Sequence, residues 1–327
     1  MSNLGIYDLI IIGGGPGGLT AGIYAMRAAL KTVLVEMGAP GGQVNLSDSV
    51  ENWPGDEHIG GSELSMKMYN HAQAYGLEVR SDEVVAIEPG LDAHTVRLAG
   101  GECLQAHAVI LATGGNPRKL DIPGEKEFYG KGVSYCAVCD GFFFRDKTVV
   151  VVGGGDSAIE ESLYLAKLAK QVYIVHRRDQ LRAGALLQQR AKAECKIEFV
   201  WNSVPTAIEA GPEGVNAVQL KDVNSGETRR LATDGLFIFI GFVPNNKLVP
   251  AGIRRNAEGY VTTDEKCATT IPGIYVIGDL REKYARQIVV AAADGCTAAL
   301  AAAHYVEARK AVQECELPES MKTGWAH

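Results

Sequence analysis

Twice along this chain a run of aliphatic residues ends in a glycine turn and resumes as a helix, and no other feature limits the possible folds as tightly. The first copy is Asp8-Leu-Ile-Ile-Ile-Gly-Gly-Gly-Pro-Gly-Gly-Leu-Thr20, with Gly13, Gly15 and Gly18 at the spacing Gly-x-Gly-x-x-Gly and Pro16 between them. A helix is expected over Leu19 to Ala29, then a second strand, Thr32-Val-Leu-Val-Glu36. The second copy, Thr148-Val-Val-Val-Val-Gly-Gly-Gly-Asp-Ser-Ala158, repeats the spacing with Gly153, Gly155 and Ala158 and encloses Asp156 and Ser157. It continues as a helix through Ala169 and the strand Gln171-Val-Tyr-Ile-Val175. A glycine turn alone is common; set between strand and helix in a β-α-β unit of this length, it is a dinucleotide fingerprint. The glycines allow a tight turn and close backbone approach, and the helix start offers unpaired N–H groups to a pyrophosphate.

The residue that ends each second strand separates the two ligands. Glu36 stands 23 residues after Gly13, where a carboxylate accepts the hydrogen bonds of an unphosphorylated ribose diol. The same 23 residues counted from Gly153 reach His176, which opens His176-Arg-Arg-Asp-Gln-Leu-Arg182. Arg177, Arg178 and Arg182 replace the acid with forked donors suited to a ribose 2′-phosphate, so the second unit is expected to prefer NADPH. A solvated basic turn is the bland alternative, and the register with the glycine turn weighs against it. His176 either meets the phosphate pocket or caps its strand.

Two further aliphatic runs end in glycine, Ala108-Val-Ile-Leu-Ala-Thr-Gly-Gly115 and Gly235-Leu-Phe-Ile-Phe-Ile-Gly241, and each leads into a proline-containing connection, Asn116-Pro117 or Val243-Pro244-Asn245. Chain crossings between domains fall at such points. The expected fold is therefore α/β, with two Rossmann-like dinucleotide-binding domains, the second inserted into the first. Residues 117–245 form the insert, and residues 1–116 and 246–327 form the discontinuous first domain. A chain of 327 residues has length enough for a core in each. Near the end, Gly273-Ile-Tyr-Val-Ile-Gly-Asp279 reads as a short strand closing on an acid, and Arg286-Gln-Ile288 leads into an Ala-rich helix. Asp279 either holds a polyol hydroxyl or caps a loop, and the helix start favours negative charge on a reduced ring system.

Charge and composition narrow the function classes. The net charge is −7 with a pI near 5.6, and no Lys/Arg run of five or more occurs, which disfavours nucleic acid and anionic membrane as partners. The apolar run Leu9-Ile-Ile-Ile12 lacks a charged n-region, since no Lys or Arg precedes Arg27, so it reads as a strand and not an export signal. The run Ile288 to Val306 is broken by Asp294 and His304, so a buried helix is expected instead of a membrane span. Seven cysteines at scattered spacing suit a reducing cytosol better than a disulfide scaffold.

Cys136-Ala-Val-Cys139 leaves three uses to weigh. A zinc site needs three or four ligands, and the available partners, Cys103 and His107, run straight into a strand with no tight knuckle, so no metal is expected. A disulfide across two residues closes too short a loop to staple much. A redox pair is the remaining use, because a helical start lowers the thiol pKa and the spacing places an attacking sulfur beside a resolving one. Asp140 follows at once, either to return a proton to a leaving thiolate or to cap the helix. Cys103, Cys195, Cys267 and Cys296 are expected as small buried or strand residues.

Taken together these residues resemble the family of low-molecular-weight, bacterial-type thioredoxin reductases, from about Tyr7 to Val306. The likeness rests on Gly13 to Gly18, Gly41-Gly-Gln43, Glu51-Asn-Trp-Pro-Gly55, Ala112-Thr-Gly114, Cys136-Ala-Val-Cys-Asp-Gly141, Gly153 to Ala158, His176-Arg-Arg178 with Arg182, Gly278-Asp279 and Arg286-Gln287. The sequence departs from the family pattern at Val138 and Ile288. The resemblance implies FAD in the first domain and NADPH in the insert, a homodimer, thioredoxin or a similar redoxin as partner, and rotation of the dithiol domain relative to the FAD domain. Carried over by position, Gln43, Asn52, Gly278, Asp279, Arg286 and Gln287, with Ala112, Thr113 and Gly114, would line the FAD site. Cys139 would face the flavin and Cys136 would attack thioredoxin's disulfide. Electrons would then run from NADPH through FAD and the dithiol to a protein disulfide. Two rivals remain: a flavin-dependent oxidase of small dithiols, which has no need of the arginines at 177 to 182, and a nucleotide-sensing protein with idle cysteines.

Overall fold

The computed structural model describes residues 5–47, 50–212 and 214–316, with the backbone alone for 46 and 313–316. Cys315 and the tail around it, to which the sequence assigns no function, lie outside the residues whose side chains are described. The chain forms two compact units, one comprising the chain to Ser47, Trp53–Gly115 and the chain from Pro244, the other Asp48–Asn52 and Asn116–Val243.

The first unit opens with β1 (Tyr7–Ile12), α1 (Pro16–Arg27) and β2 (Thr32–Glu36), followed by α2 (Gly61–Ala74) and β3 (Glu78–Ser81). These strands are parallel neighbours, with Ile10 opposite Val33 and Val33 opposite Glu78. Every residue of β1 is buried, as a central parallel strand covered on both faces must be, which is why its sequence shows no alternation. Asp8 is the polar residue in that strand; its carboxylate accepts the Lys31 N–H at 2.9 Å and pairs with Lys310 at 2.7 Å. β4 (Val84–Glu88), β5 (His94–Leu98) and β6 (Cys103–Leu111) form an antiparallel meander that brings β6 back parallel to β1, Ile10 opposite Val109.

The chain leaves the first unit in β7 (Gly115–Pro117). The second unit contains β8 (Val133–Ser134), α3 (Ala137–Asp140), β9 (Thr148–Gly153), α4 (Asp156–Ala166), β10 (Gln171–Val175), α5 (Ala185–Ala193) and β11 (Ile197–Val200). A three-stranded antiparallel sheet follows, β12 (Ser203–Gly211), β13 (Gly214–Asp222) and β14 (Thr228–Ala232), before β15 (Gly235–Phe239) returns to the main sheet. That sheet has the order β11-β10-β9-β15-β8 and is parallel throughout. Val149, Val151, Ile174 and Phe237 pack with Ile159 and Leu165 of α4 on one side, while Val150, Val152, Leu236 and Ile238 pack with Val218 and Leu220 of the antiparallel sheet on the other.

The return crossing is β16 (Phe242–Pro244), which pairs with β7. β17 (Ile274–Val276) then joins the first sheet parallel to β6, and α6 (Ile288–Glu316) packs on α1. The two helices meet through Gly17 and Gly295, where a Cβ on Gly295 would collide with the Gly17 carbonyl oxygen. Small residues are therefore what this crossing requires, and Ala298, Ala299, Ala302 and Ala303 continue the buried stripe. The helix is long and apolar enough by length and composition to cross a membrane; its close approach to α1 accounts for that composition. The expectation of a buried helix needs correction, since Val289, Leu300 and Val312 are exposed and only one face of α6 is covered.

Candidate functional site

In the first unit the expected ligand-facing residues gather at the carboxyl ends of β1, β2, β6 and β17, where ligands bind in open parallel sheets. Gly13 turns the chain out of β1 with φ +105°, and a Cβ there would strike the Ala112 carbonyl. Gly15 caps α1 with no side chain closing the helix start, and nothing lies within 4 Å of where its Cβ would stand. Pro16 occupies the first helical turn, where a missing N–H costs nothing. A Cβ on Gly18 would collide with the Gly13 carbonyl oxygen. The result is a helix start with free N–H groups over open space, the cradle a pyrophosphate needs.

Glu36 is fixed beside this cradle. One carboxylate oxygen accepts the Gly14 N–H at 2.6 Å and the other the Gly38 N–H at 2.8 Å, which leaves further lone pairs on both. The Gly41 N–H donates back to the Gly14 carbonyl at 2.7 Å, bringing the turn that carries exposed Gln43 to the same edge. At the end of β6, Thr113 and Asn245 exchange side-chain bonds with each other's carbonyls at 2.9 and 2.8 Å, and Gly114 follows with φ +62°. Gly278, φ +66°, sets up Asp279, whose Oδ1 is buried without a hydrogen bond among the described residues while Lys283 Nζ stands 3.8 Å away. Burial pushes the Asp279 carboxyl above its ordinary value, with Lys283 and Arg286 pulling the other way. The Arg286 guanidinium lies over the Tyr260 ring at 4.4 Å, and the Gln287 carbonyl accepts the Ala291 N–H at 3.0 Å at the start of α6. Asn52 differs from the others in belonging to the short segment grouped with the second unit. An orphaned buried carboxylate oxygen, an uncapped helix start and a fixed ribose-type acid fit a dinucleotide with a polyol linker.

The second unit repeats the cradle. Gly153 turns with φ +156°, and a Cβ there would meet the Phe239 carbonyl oxygen at 2.5 Å and the Ala158 methyl at 2.6 Å. Gly155 caps α4, with Asp156 and Ser157 exposed behind it. Asp156 accepts the Gly184 N–H at 2.7 Å. The His176 ring occupies the space a Gly154 side chain would need and packs edge-to-face with Trp201, ring centroids 6.4 Å apart. Burial lowers its pKa, opposed by the backbone at Gln180 and Gly153. Arg177, Arg178 and Arg182 are exposed and form no ion pair among the described residues. Arg182 is tied to the turn by its own N–H, 2.7 Å from the Gly154 carbonyl. Three unpaired guanidinium groups at this edge suit a phosphate.

Cys136 and Cys139 are joined as a disulfide with Cα atoms 5.3 Å apart. Cys136 caps α3, and its sulfur accepts the Cys139 N–H at 3.2 Å. The Ser134 hydroxyl donates to the Asp140 carboxylate and accepts the Cys136 N–H at 3.0 Å. From α4, Glu161 accepts the Ala137 N–H at 3.0 Å. Ser134 and Glu161 escaped the sequence reading because their roles arise from tertiary packing and no local motif announces them. The other cysteines are mixed: Cys267 is buried and Cys103 lies on β6, as expected, whereas Cys195 is an exposed turn residue and Cys296 is half-buried on α6. The Cys195 expectation fails because a polar turn, not a strand, links α5 to β11.

Over residues 7–295 the sequence matches the pyridine nucleotide-disulphide oxidoreductase family, and the chain belongs to that family. It is 47% identical over 323 residues to a thioredoxin reductase of Bacillus subtilis (strain 168), covering 99% of each. It is 46% identical over 312 residues to a thioredoxin reductase of Listeria innocua, covering 95% of this chain and 97% of the relative. The crystal structure of thioredoxin reductase from Streptococcus pyogenes MGAS5005 is similar with a TM-score of 0.89 at 45% identity, covering 93% of this chain and 99% of that one.

Proposed function

We propose that the protein is a thioredoxin reductase, an NADPH-dependent flavoprotein that passes electrons through the Cys136–Cys139 couple to the disulfide of a thioredoxin or similar redoxin. The carrying observation is the couple's placement: a disulfide on a helical turn packed against α4, the helix whose own start forms the second glycine turn. In this reading residues 1–116 and 246–327 hold FAD, with Gly13, Gly15, Pro16 and Gly18 at the pyrophosphate, Glu36 at the ribose and Asp279 at the polyol. Residues 117–245 hold NADPH, with Gly153, Gly155 and Ala158 at the pyrophosphate and Arg177, Arg178 and Arg182 at the 2′-phosphate.

A bound flavin supplies the carrier that takes hydride from nicotinamide and returns two electrons to a disulfide. The chain's own residues do the exchange. Cys136 as thiolate attacks the acceptor disulfide, forming a mixed disulfide and releasing one acceptor sulfur; Cys139 then attacks the Cys136 sulfur, re-forming the intramolecular bond and releasing the second. Asp140, whose carboxylate accepts the Ser134 hydroxyl, takes the proton that the Cys136 thiol gives up and returns it to the leaving thiolate. Val138, Phe142 and Phe143 are exposed around the couple, an apolar surface that a protein acceptor would cover. A homodimer working in the cytoplasm belongs to the same proposal.

The test is a steady-state assay of NADPH and NADH oxidation with and without thioredoxin. Thioredoxin-dependent turnover that is lost in Cys136→Ser and Cys139→Ser, with flavin still bound, is the expected result. Oxygen consumption with no response to thioredoxin would overturn the proposal.

A further inference from the structure

Helix α4 carries two adjacent carboxylates, and they differ in surroundings: Glu160 is exposed, while Glu161 is half-buried against the cysteine-bearing turn. The Glu161 Oε2 accepts the Ala137 N–H at 3.0 Å, and the neighbouring Val138 N–H also favours the charged form of this carboxylate. These are the first N–H groups of α3, and in an uncapped Cys-x-x-Cys turn they provide the positive potential that makes the leading cysteine acidic. Here a carboxylate from another element already takes them. Burial holds the Glu161 carboxyl above its ordinary value although the Ala137 and Val138 N–H groups pull it down, and Glu160 adds to the rise.

The other titratable groups around the turn do not restore that potential. Asp140 lies in the same turn and is bonded to Ser134. Tyr129 is held up first by burial and then by the Asp140 charge. Tyr135, just before the couple, donates to Glu125 at 2.7 Å. Tyr164 of α4 lies against Gly141, and Arg145, after the turn, stacks on Phe142 at 5.1 Å.

We propose that Glu161 is a positioning residue for the Cys136–Cys139 couple: by occupying the N–H groups at the start of α3 it keeps the Cys136 thiol less acidic and the couple more strongly reducing. The proposal rests on the reading of this pair as the redox centre. Reduction of the disulfide takes up two electrons and two protons to give two thiols, and any stabilisation of a thiolate favours that reduced side. Glu161 withholds such stabilisation, which suits a pair that must hand electrons on.

Glu161→Gln keeps an acceptor oxygen for the Ala137 N–H and removes the charge; Glu161→Ala removes both. The flavin-loaded full-length protein and both variants are reduced with excess dithiothreitol, and the alkylation rate of Cys136 by iodoacetamide is followed against pH by peptide mass spectrometry, which separates it from exposed Cys103 and Cys195. The position of the couple in glutathione buffers of fixed ratio is read on the same proteins. The expected result for Glu161→Gln is a Cys136 midpoint lower by about one pH unit and a severalfold shift of the couple toward the dithiol. An unmoved midpoint and unmoved equilibrium in Glu161→Gln would overturn the proposal, whatever Glu161→Ala does to stability. Thioredoxin turnover is assayed separately, so that an absent thioredoxin response with a shifted Cys136 midpoint counts against the functional reading alone.

Discussion

The Asp294 carboxylate, in the second turn of α6, receives the Gly278 N–H at 3.0 Å and so fixes the turn that presents Asp279. Two cations hold the acid in place, Arg281 at 2.7 Å and Lys283 at 3.0 Å, and Arg281 also reaches the sulfur of buried Cys267 at 3.3 Å. Asp294 therefore ties the end of β17 to the helix that follows.

Replacing Asp294 by Ala takes the paired acid from Arg281 and leaves Lys283 with Asp279 at 3.8 Å, both in a poorly hydrated site. Breaking a buried pair in this way costs about 3–5 kcal/mol, and here it also frees the Gly278 turn. The expected outcome is a markedly lower unfolding temperature together with loss of flavin on gel filtration, read from the ratio of flavin to protein absorbance. Asp294→Asn, which still accepts the Gly278 N–H, should retain more flavin than Asp294→Ala.

The exposed guanidinium groups of Arg177, Arg178 and Arg182 make a different kind of prediction, because they form no ion pair among the described residues. A charge-assisted hydrogen bond is worth about 1.5–3 kcal/mol, so each Arg→Ala change should raise the KM for NADPH by roughly 10-fold or more. The kcat should stay within about twofold, and NADH kinetics should barely move. Equal losses with both nicotinamides would show that the cluster does not read the 2′-phosphate.

Acid sensitivity follows from two buried imidazoles. Burial lowers the pKa of His176, and it lowers that of His94, where Arg309 and His107 add to the effect and a backbone bond at Pro272 opposes it. Because the folded values lie below the unfolded one of about 6.5, the folded state prefers the neutral rings. Their contribution to stability is complete above about pH 6.5 and is lost as the pH falls through the folded values. Thermal unfolding measured between pH 8 and pH 5 should show a stability decline at the acid end, with a shallower slope in His176→Gln. Parallel slopes in parent and variant would exclude His176 as a source.

Much of the fold was legible because the strands at its centre are buried on both faces: Ile10 to Ile12 and Val149 to Val152 leave no alternation to misread, and each runs into a turn that only glycine permits. The helix starts were less legible. α1 begins at Pro16 and α4 at Asp156, inside the glycine turns, since an extended Gly15 or Gly155 is itself the cap. The antiparallel strands β12 to β14 carried no motif, and their buried residues, among them Ile208, Val218 and Leu220, face the parallel sheet only because the fold puts them there. Glu36 and the arginines could be placed by counting from a glycine. Glu161 could not, since its partner Ala137 lies 24 residues away on another element.

The first glycine turn separates steric from functional demands within four residues. At Gly15 the backbone is extended, φ −71°, and nothing lies within 4 Å of a Cβ, so alanine fits the empty turn. Its methyl group would instead stand over the free N–H groups where a pyrophosphate has to approach. At Gly18 a Cβ has no room, because the Gly13 carbonyl oxygen is already there; overpacking of this kind costs about 1–3 kcal/mol. Gly15→Ala should therefore fold with a near-parental circular dichroism spectrum and bind FAD at least about tenfold more weakly in a titration of the apoprotein, while Gly18→Ala should show a lowered unfolding temperature even before FAD is added. Parental FAD affinity in Gly15→Ala would remove the first glycine turn from the flavin site.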